Sequence, residues 1–136
     1  MPQIDINVWA VLLSTVIFMV IGSVWYSPKV FYNTWIKANG LDEEKIKTGS
    51  PMKSMGGMFV GAFITSYILA HVVGYAQANT FVEGLQTGFW MWLGFIGAVT
   101  ISEVLFAQRS WKVWGITNGY NLIALLCAGV ILALWK

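Results

Sequence analysis

Four long apolar stretches fill most of this 136-residue chain, and only short polar intervals separate them. The first, Val8 to Trp25, carries no charge, and a helix of roughly 20 mostly apolar residues is what a bilayer core requires. Hydropathy predicts four spans, at about residues 7–27, 54–77, 81–107 and 114–135, within a single membrane domain covering residues 1–136. The second contains His71, the third Glu83 and Glu103, and the fourth no ionisable side chain beyond Cys127 and Tyr120. Charged residues make up 10% of the chain, against about a quarter in a soluble domain. The apolar runs are continuous and lack the two-residue alternation of barrel strands. The expected fold is all-α: an integral membrane four-helix bundle with a short interfacial amphipathic helix after the first span and both termini outside.

The first stretch is expected to remain attached, because MPQIDINV offers no basic n-region and no small-x-small cleavage site precedes Trp25. Orientation follows from Lys and Arg, which are retained on the cytoplasmic side. Lys29, Lys37, Lys45, Lys47 and Lys53 fall in the loop at 28–53, Arg109 and Lys112 in the third loop, and only Lys136 on the opposite side. Both basic loops are therefore expected in the cytoplasm and both termini on the outer face of the cell membrane. Trp25, Tyr26, Trp35, Trp111 and Trp114 would anchor the inner interface, while Trp90 and Trp92 lie deeper, as packing residues. The one-sided positive charge suits an anionic lipid surface and needs no nucleic acid to explain it. Cys127 stands alone, which excludes an internal disulfide or a multi-cysteine metal site.

Ser27-Pro28 closes the first span and can open a new helix, with Phe31, Trp35 and Ala38 near one face and a stop at Asn39-Gly40. That pattern predicts a helix lying on the membrane surface. Ser50-Pro51 repeats the cap-then-proline pattern ahead of the second span.

Glycines four apart, Gly57/Gly61, Gly84/Gly88 and Gly115/Gly119, place small residues on one face of three spans and point to close helix packing. A wide aqueous path within one subunit does not fit such packing. Thr80 and Glu83 have the spacing of a capping box, which gives Glu83 a structural role. Glu103 has no cap pattern, and a carboxyl group near membrane depth is costly unless paired or wetted. With Arg109, Asn118, Tyr120 and Asn121 it forms a candidate inner-side polar cluster, either a helix-stitching network or a binding or proton-relay element. His71, the candidate proton-responsive group, lies about 20 Å from Glu103 along the membrane normal at 1.5 Å per residue. Its nearest aromatic partners are Tyr67 and Tyr75, four positions away on either side. No zinc set, histidine-activated nucleophile or phosphate-cradling loop is present, so neither an enzyme nor a metal or other cofactor is expected.

The segment Trp25-Tyr26-Ser27-Pro28 with Phe31 and Trp35, then Asn39-Gly40-Leu41 and Glu43-Glu44, resembles a family of small bacterial membrane proteins known as domain of unknown function 1761. Phe106, Arg109, Ile116, Gly119-Tyr120, Gly129 and Trp135 carry the likeness to the end of the chain. The resemblance implies a four-helix membrane protein and brings no activity, substrate or site residue. The residues favour a small non-enzymatic multi-pass protein that works by assembly, as a homo-oligomer or as an accessory subunit among other membrane proteins, in contact with membrane lipid. The alternative is a small dimeric proton- or cation-coupled transporter or channel using the cluster around Glu103.

Overall fold

The computed structural model describes residues 1–42, 44, 49 and 51–136, and every regular element among them is helical. α1 (Val8–Trp25) leads through a tight turn into the short α2 (Tyr32–Asn39), and α3 covers Pro51–Tyr75. The third long helix is composite: α4 (Phe81–Trp92) and α5 (Ala98–Leu105) are joined without a break by a π-helical turn, Leu93–Gly97. α6 (Trp111–Leu134) completes the chain. α1, α3, the composite helix Phe81–Leu105 and α6 are each long and apolar enough to cross a membrane. Ile4, Gly74 and Trp135 line one cavity, so the two termini and the α3–α4 turn share an end, here the terminal end. α2 and the turns after α1 and α5 form the opposite, loop end.

α6 is the central helix and packs against α1, α3 and α4. Its buried positions Ala124, Ala128, Gly129 and Ala133 are small, as are Ala10 and Ser14 of α1 and Ala62, Ser66 and Ala70 of α3. Lipid offers helices no hydrophobic reason to associate, so close approach and dispersion must supply the energy, and small residues permit both. The α4–α6 crossing is the extreme case. A Cβ built on Gly84 would stand 2.6 Å from the Gly129 carbonyl oxygen, and one on Gly88 would run into the Leu125 carbonyl. Larger residues fill the remaining core, among them Val11, Phe18, Leu69, Val73, Leu125 and Leu132.

Local signals explain the helix ends. The Asn7 side chain accepts from the Trp9 and Ala10 N–H groups to open α1. Thr80 and Glu83 form a reciprocal capping box, with Glu83 accepting from the N–H groups of Asn79 and Thr80 at 2.7 and 3.0 Å. Ser110 caps α6 through the Lys112 N–H. Gly40 ends α2 in the left-handed conformation, at φ 63°.

The first loop differs from expectation. Ser27 does not cap a helix: its hydroxyl donates back to the Val24 carbonyl at 2.7 Å, and the chain makes a turn closed by Tyr32 N–H to Ser27 O before α2 begins. The buried residue of α2 is Ile36, which docks toward α6, while Phe31 and Trp35 lie against Trp25 and Tyr26. The cap expected of Ser50, and Lys45 and Lys47 of the basic loop, lie outside the described residues.

Candidate functional site

The π-helical turn decides which side chains of the third long helix meet α6. Gly84, Thr87, Gly88 and Trp92 form the face of α4 directed at α6. A regular helix would extend that face through Phe95, Val99 and Ser102. The Ala98 N–H instead reaches back five residues to the Leu93 carbonyl, and the extra residue rotates everything after it by about 100°. Phe95 and Val99 consequently point outward, 71% and 60% exposed, and Ile96, Thr100, Glu103 and Val104 take the inward positions. Gly97 allows the turn to pack: an added Cβ would meet the Trp92 ring at 3.1 Å.

A cavity of about 170 Å³ results between the end of the composite helix and the first half of α6. Glu103, Arg109, Asn118 and Asn121 all line it, together with Thr100 and Thr117. Its walls are fixed by indole hydrogen bonds. The Trp92 Nε1–H donates to the Asn118 carbonyl at 2.8 Å, the Trp114 Nε1–H to Thr100 Oγ1 at 3.0 Å, and that hydroxyl to the Ile96 carbonyl at 2.6 Å. Asn118, 3% exposed, is oriented by a 3.0 Å bond from its Nδ2 to the Trp114 carbonyl. Glu103 and Arg109 are both exposed at the mouth, tied only through their backbones, Arg109 N–H to Glu103 O at 3.2 Å. No ion pair joins their side chains among the described residues.

Tyr120 does not belong to this cluster. It lies about 200° around α6 from Asn118, and its hydroxyl donates to the Phe18 carbonyl of α1 at 2.9 Å. Its ring packs against Phe18 and Tyr26 and over Gly22. His71 is remote from the pocket, on α3, with Nδ1 3.0 Å from the Tyr67 carbonyl and its ring 4.8 Å from the Tyr67 ring.

The glycine pairs fall into different settings. Gly84 and Gly88 meet α6, and Gly119 faces the Trp25 ring, 3.1 Å from an added Cβ. Gly57, Gly61 and Gly115 have open space where a Cβ would stand. Trp25 is turned inward as well as placed at a helix end: its Nε1–H donates to the Ile116 carbonyl at 2.8 Å. Tyr26 and Trp35 pack on each other, and Trp111 is exposed beside Trp114. Trp90, expected to pack, is 60% exposed. It lies about 160° around the helix from Gly88, on the far side from α6. Sequence reasoning gathered Glu103, Arg109, Asn118 and Asn121 but missed Trp92 and Thr100. Gly94 and Gly97 in mid-span were the only sequence signal for an irregular turn there.

Four helices of membrane-crossing length and apolarity place the chain in the class of multi-pass membrane proteins. It belongs to the family described as Protein of unknown function (DUF1761), whose pattern it matches over residues 9–133. Comparison with curated proteins and comparison with solved structures each give no match.

Proposed function

We propose that this protein acts without chemistry of its own, as a homo-oligomer assembled through α3. One observation carries the proposal: every residue from 51 to 61 is exposed, so three turns of a membrane-length helix lie on the surface of the bundle. Further along α3, Val60, Ile64 and Tyr67 also point away from the bundle, 56%, 55% and 41% exposed, on the side opposite buried Ala62, Ser66 and Val73. His71 continues that outward stripe. Its Nδ1 is engaged by Tyr67, and a second copy's α3 would supply a partner for its other ring nitrogen. A two-fold pairing along this stripe needs no other protein. The excess of Lys and Arg in the loops supports both termini on the outer side of the cell membrane.

Disulfide trapping in intact membranes tests this. In a Cys127→Ala background, Val60→Cys should yield a covalent dimer of this chain and Ala62→Cys, buried within the bundle, should not. Equal failure of Val60→Cys and Tyr67→Cys to cross-link would overturn the proposal, and cross-linking to a different chain would replace it with an accessory-subunit role.

A second reading draws on the pocket: a proton- or cation-coupled transporter whose path runs at a subunit interface past Glu103 and Asn121. The glycine crossing of α4 and α6 leaves no room for a path between those two helices at the terminal end. Under this reading Glu103→Gln abolishes flux in vesicles while the oligomer persists.

A further inference from the structure

The polar pocket does not end at Ile96. On the other side of that residue lies an apolar groove of about 410 Å³ between α3 and the third long helix, walled by Ile64, Ile68, Met91, Phe95 and Leu125. Ile96 lines both spaces. Together they form a two-part site whose polar part sits at the loop end, where a span meets headgroups, and whose apolar part lies at mid-depth. Gly57 and Gly61 fall on the same face of α3 as Ile64 and Ile68, at i, i+4, i+7 and i+11, so the groove's α3 wall continues toward the loop end without protruding side chains.

We infer that this site binds a phospholipid of the surrounding bilayer with a zwitterionic, primary-amine headgroup. The headgroup is recognised by charge. Glu103 and Arg109 line one small cavity yet make no ion pair with each other among the described residues, so each is available to an opposite charge on a ligand. An ammonium donates hydrogen bonds to the Glu103 carboxyl, and a phosphate accepts the planar fork of Arg109. Asn121 and the hydroxyl of Thr117 line the same wall and can hydrogen-bond the remaining headgroup oxygens. One acyl chain then passes Ile96 and lies along Phe95 and Ile68. A helix of a second copy fits less well, since it would set an apolar face against Glu103, Asn118 and Asn121. A purely anionic lipid would satisfy Arg109 and bring no ammonium to the Glu103 carboxyl. The α3 stripe proposed for assembly meets the groove at Ile64 but is centred about 60° further around the helix, on Val60 and Tyr67, and the lipid site does not depend on it.

Native mass spectrometry of the full chain in mild detergent tests this, with phosphatidylethanolamine, phosphatidylcholine and phosphatidylglycerol of identical acyl chains added in turn. One phosphatidylethanolamine per chain should be retained, about tenfold more tightly than phosphatidylcholine, which lacks amine N–H donors, or phosphatidylglycerol, which lacks the amine. Glu103→Gln should erase the preference for the amine. Ile68→Trp, filling the groove, should weaken all three lipids while Val60→Trp, outside it, should not. Intrinsic tryptophan fluorescence confirms that each variant is folded. Equal retention of the three lipids, unchanged by Glu103→Gln, would overturn the inference. So would trapping of the groove by a second copy, seen as an Ile68→Cys disulfide dimer that excludes lipid.

Discussion

The two ends of this bundle are built on opposite principles. At the terminal end the helices meet backbone to backbone: Gly84 and Gly88 lie on Gly129 and Leu125, and Ala10, Ala70, Val73, Ala128 and Leu132 are buried around them. At the loop end residues 51–61 of α3 are all exposed, Leu105 and Phe106 are 63% and 87% exposed, and α6 is held by indoles rather than by close packing. Packing backbone to backbone needs small residues to meet one another, and at the loop end Gly22 of α1 and Gly119 of α6 meet the Tyr120 and Trp25 rings instead. The loop end instead spends its aromatic residues on hydrogen bonds to α6 and leaves a polar pocket and a bare helix. Stability therefore concentrates at one end and capacity for interaction at the other.

The contrast breaks first at Gly88. Gly88→Leu drives a side chain into the Leu125 carbonyl and should cost about 3 kcal/mol or more, preventing a stable fold. Reversible unfolding in mixed micelles would measure it, and a variant as stable as the parent would mean that the α4–α6 crossing is not the anchor. Deleting Gly94 should return the π-helical turn to α-helix and rotate Glu103 about 100° out of the pocket. Labelling of a cysteine at position 103 in a Cys127→Ala background would show whether its environment changes; identical labelling with and without Gly94 would contradict the rotation. Trp92→Phe removes one indole bond to α6 and should cost about 1 kcal/mol, read by the same unfolding assay. Thr80→Ala should cost a similar amount, about 1 kcal/mol, by removing the cap of α4. Ser66→Ala should have the smallest effect, neutral or slightly stabilising. The Ser14 and Ser66 hydroxyls are buried without a hydrogen-bond partner among the described residues, so deleting one relieves a desolvated group.

Much of this was legible in the residues themselves. The Thr80–Glu83 box is a local contact four residues long, and its spacing alone specifies it. Glu103, Arg109, Asn118 and Asn121 could be grouped because the short turn between α5 and α6 brings the ends of the two helices together. Tyr120 was misgrouped because chain proximity to Asn118 does not give the direction of a side chain on a helix. The glycine pairs look alike in sequence and differ in surroundings, since whether a glycine meets a carbonyl, a tryptophan ring or open space depends on the neighbouring helix.

The sequence by itself determined that the chain forms helices of membrane-crossing length and that Thr80 and Glu83 cap the third of them. Apolar run length, charge and cap chemistry are properties of contiguous residues, and a bilayer admits only backbones that satisfy their own hydrogen bonds, which for continuous apolar runs without two-residue alternation means helices. Only the tertiary structure decided that α6 is central, that α3 is left half bare, and that Glu103 faces α6. The last depends on one extra residue in the turn at Leu93–Gly97. Helical phase accumulates along the chain, so a local insertion redirects every later side chain while leaving the hydropathy pattern unchanged.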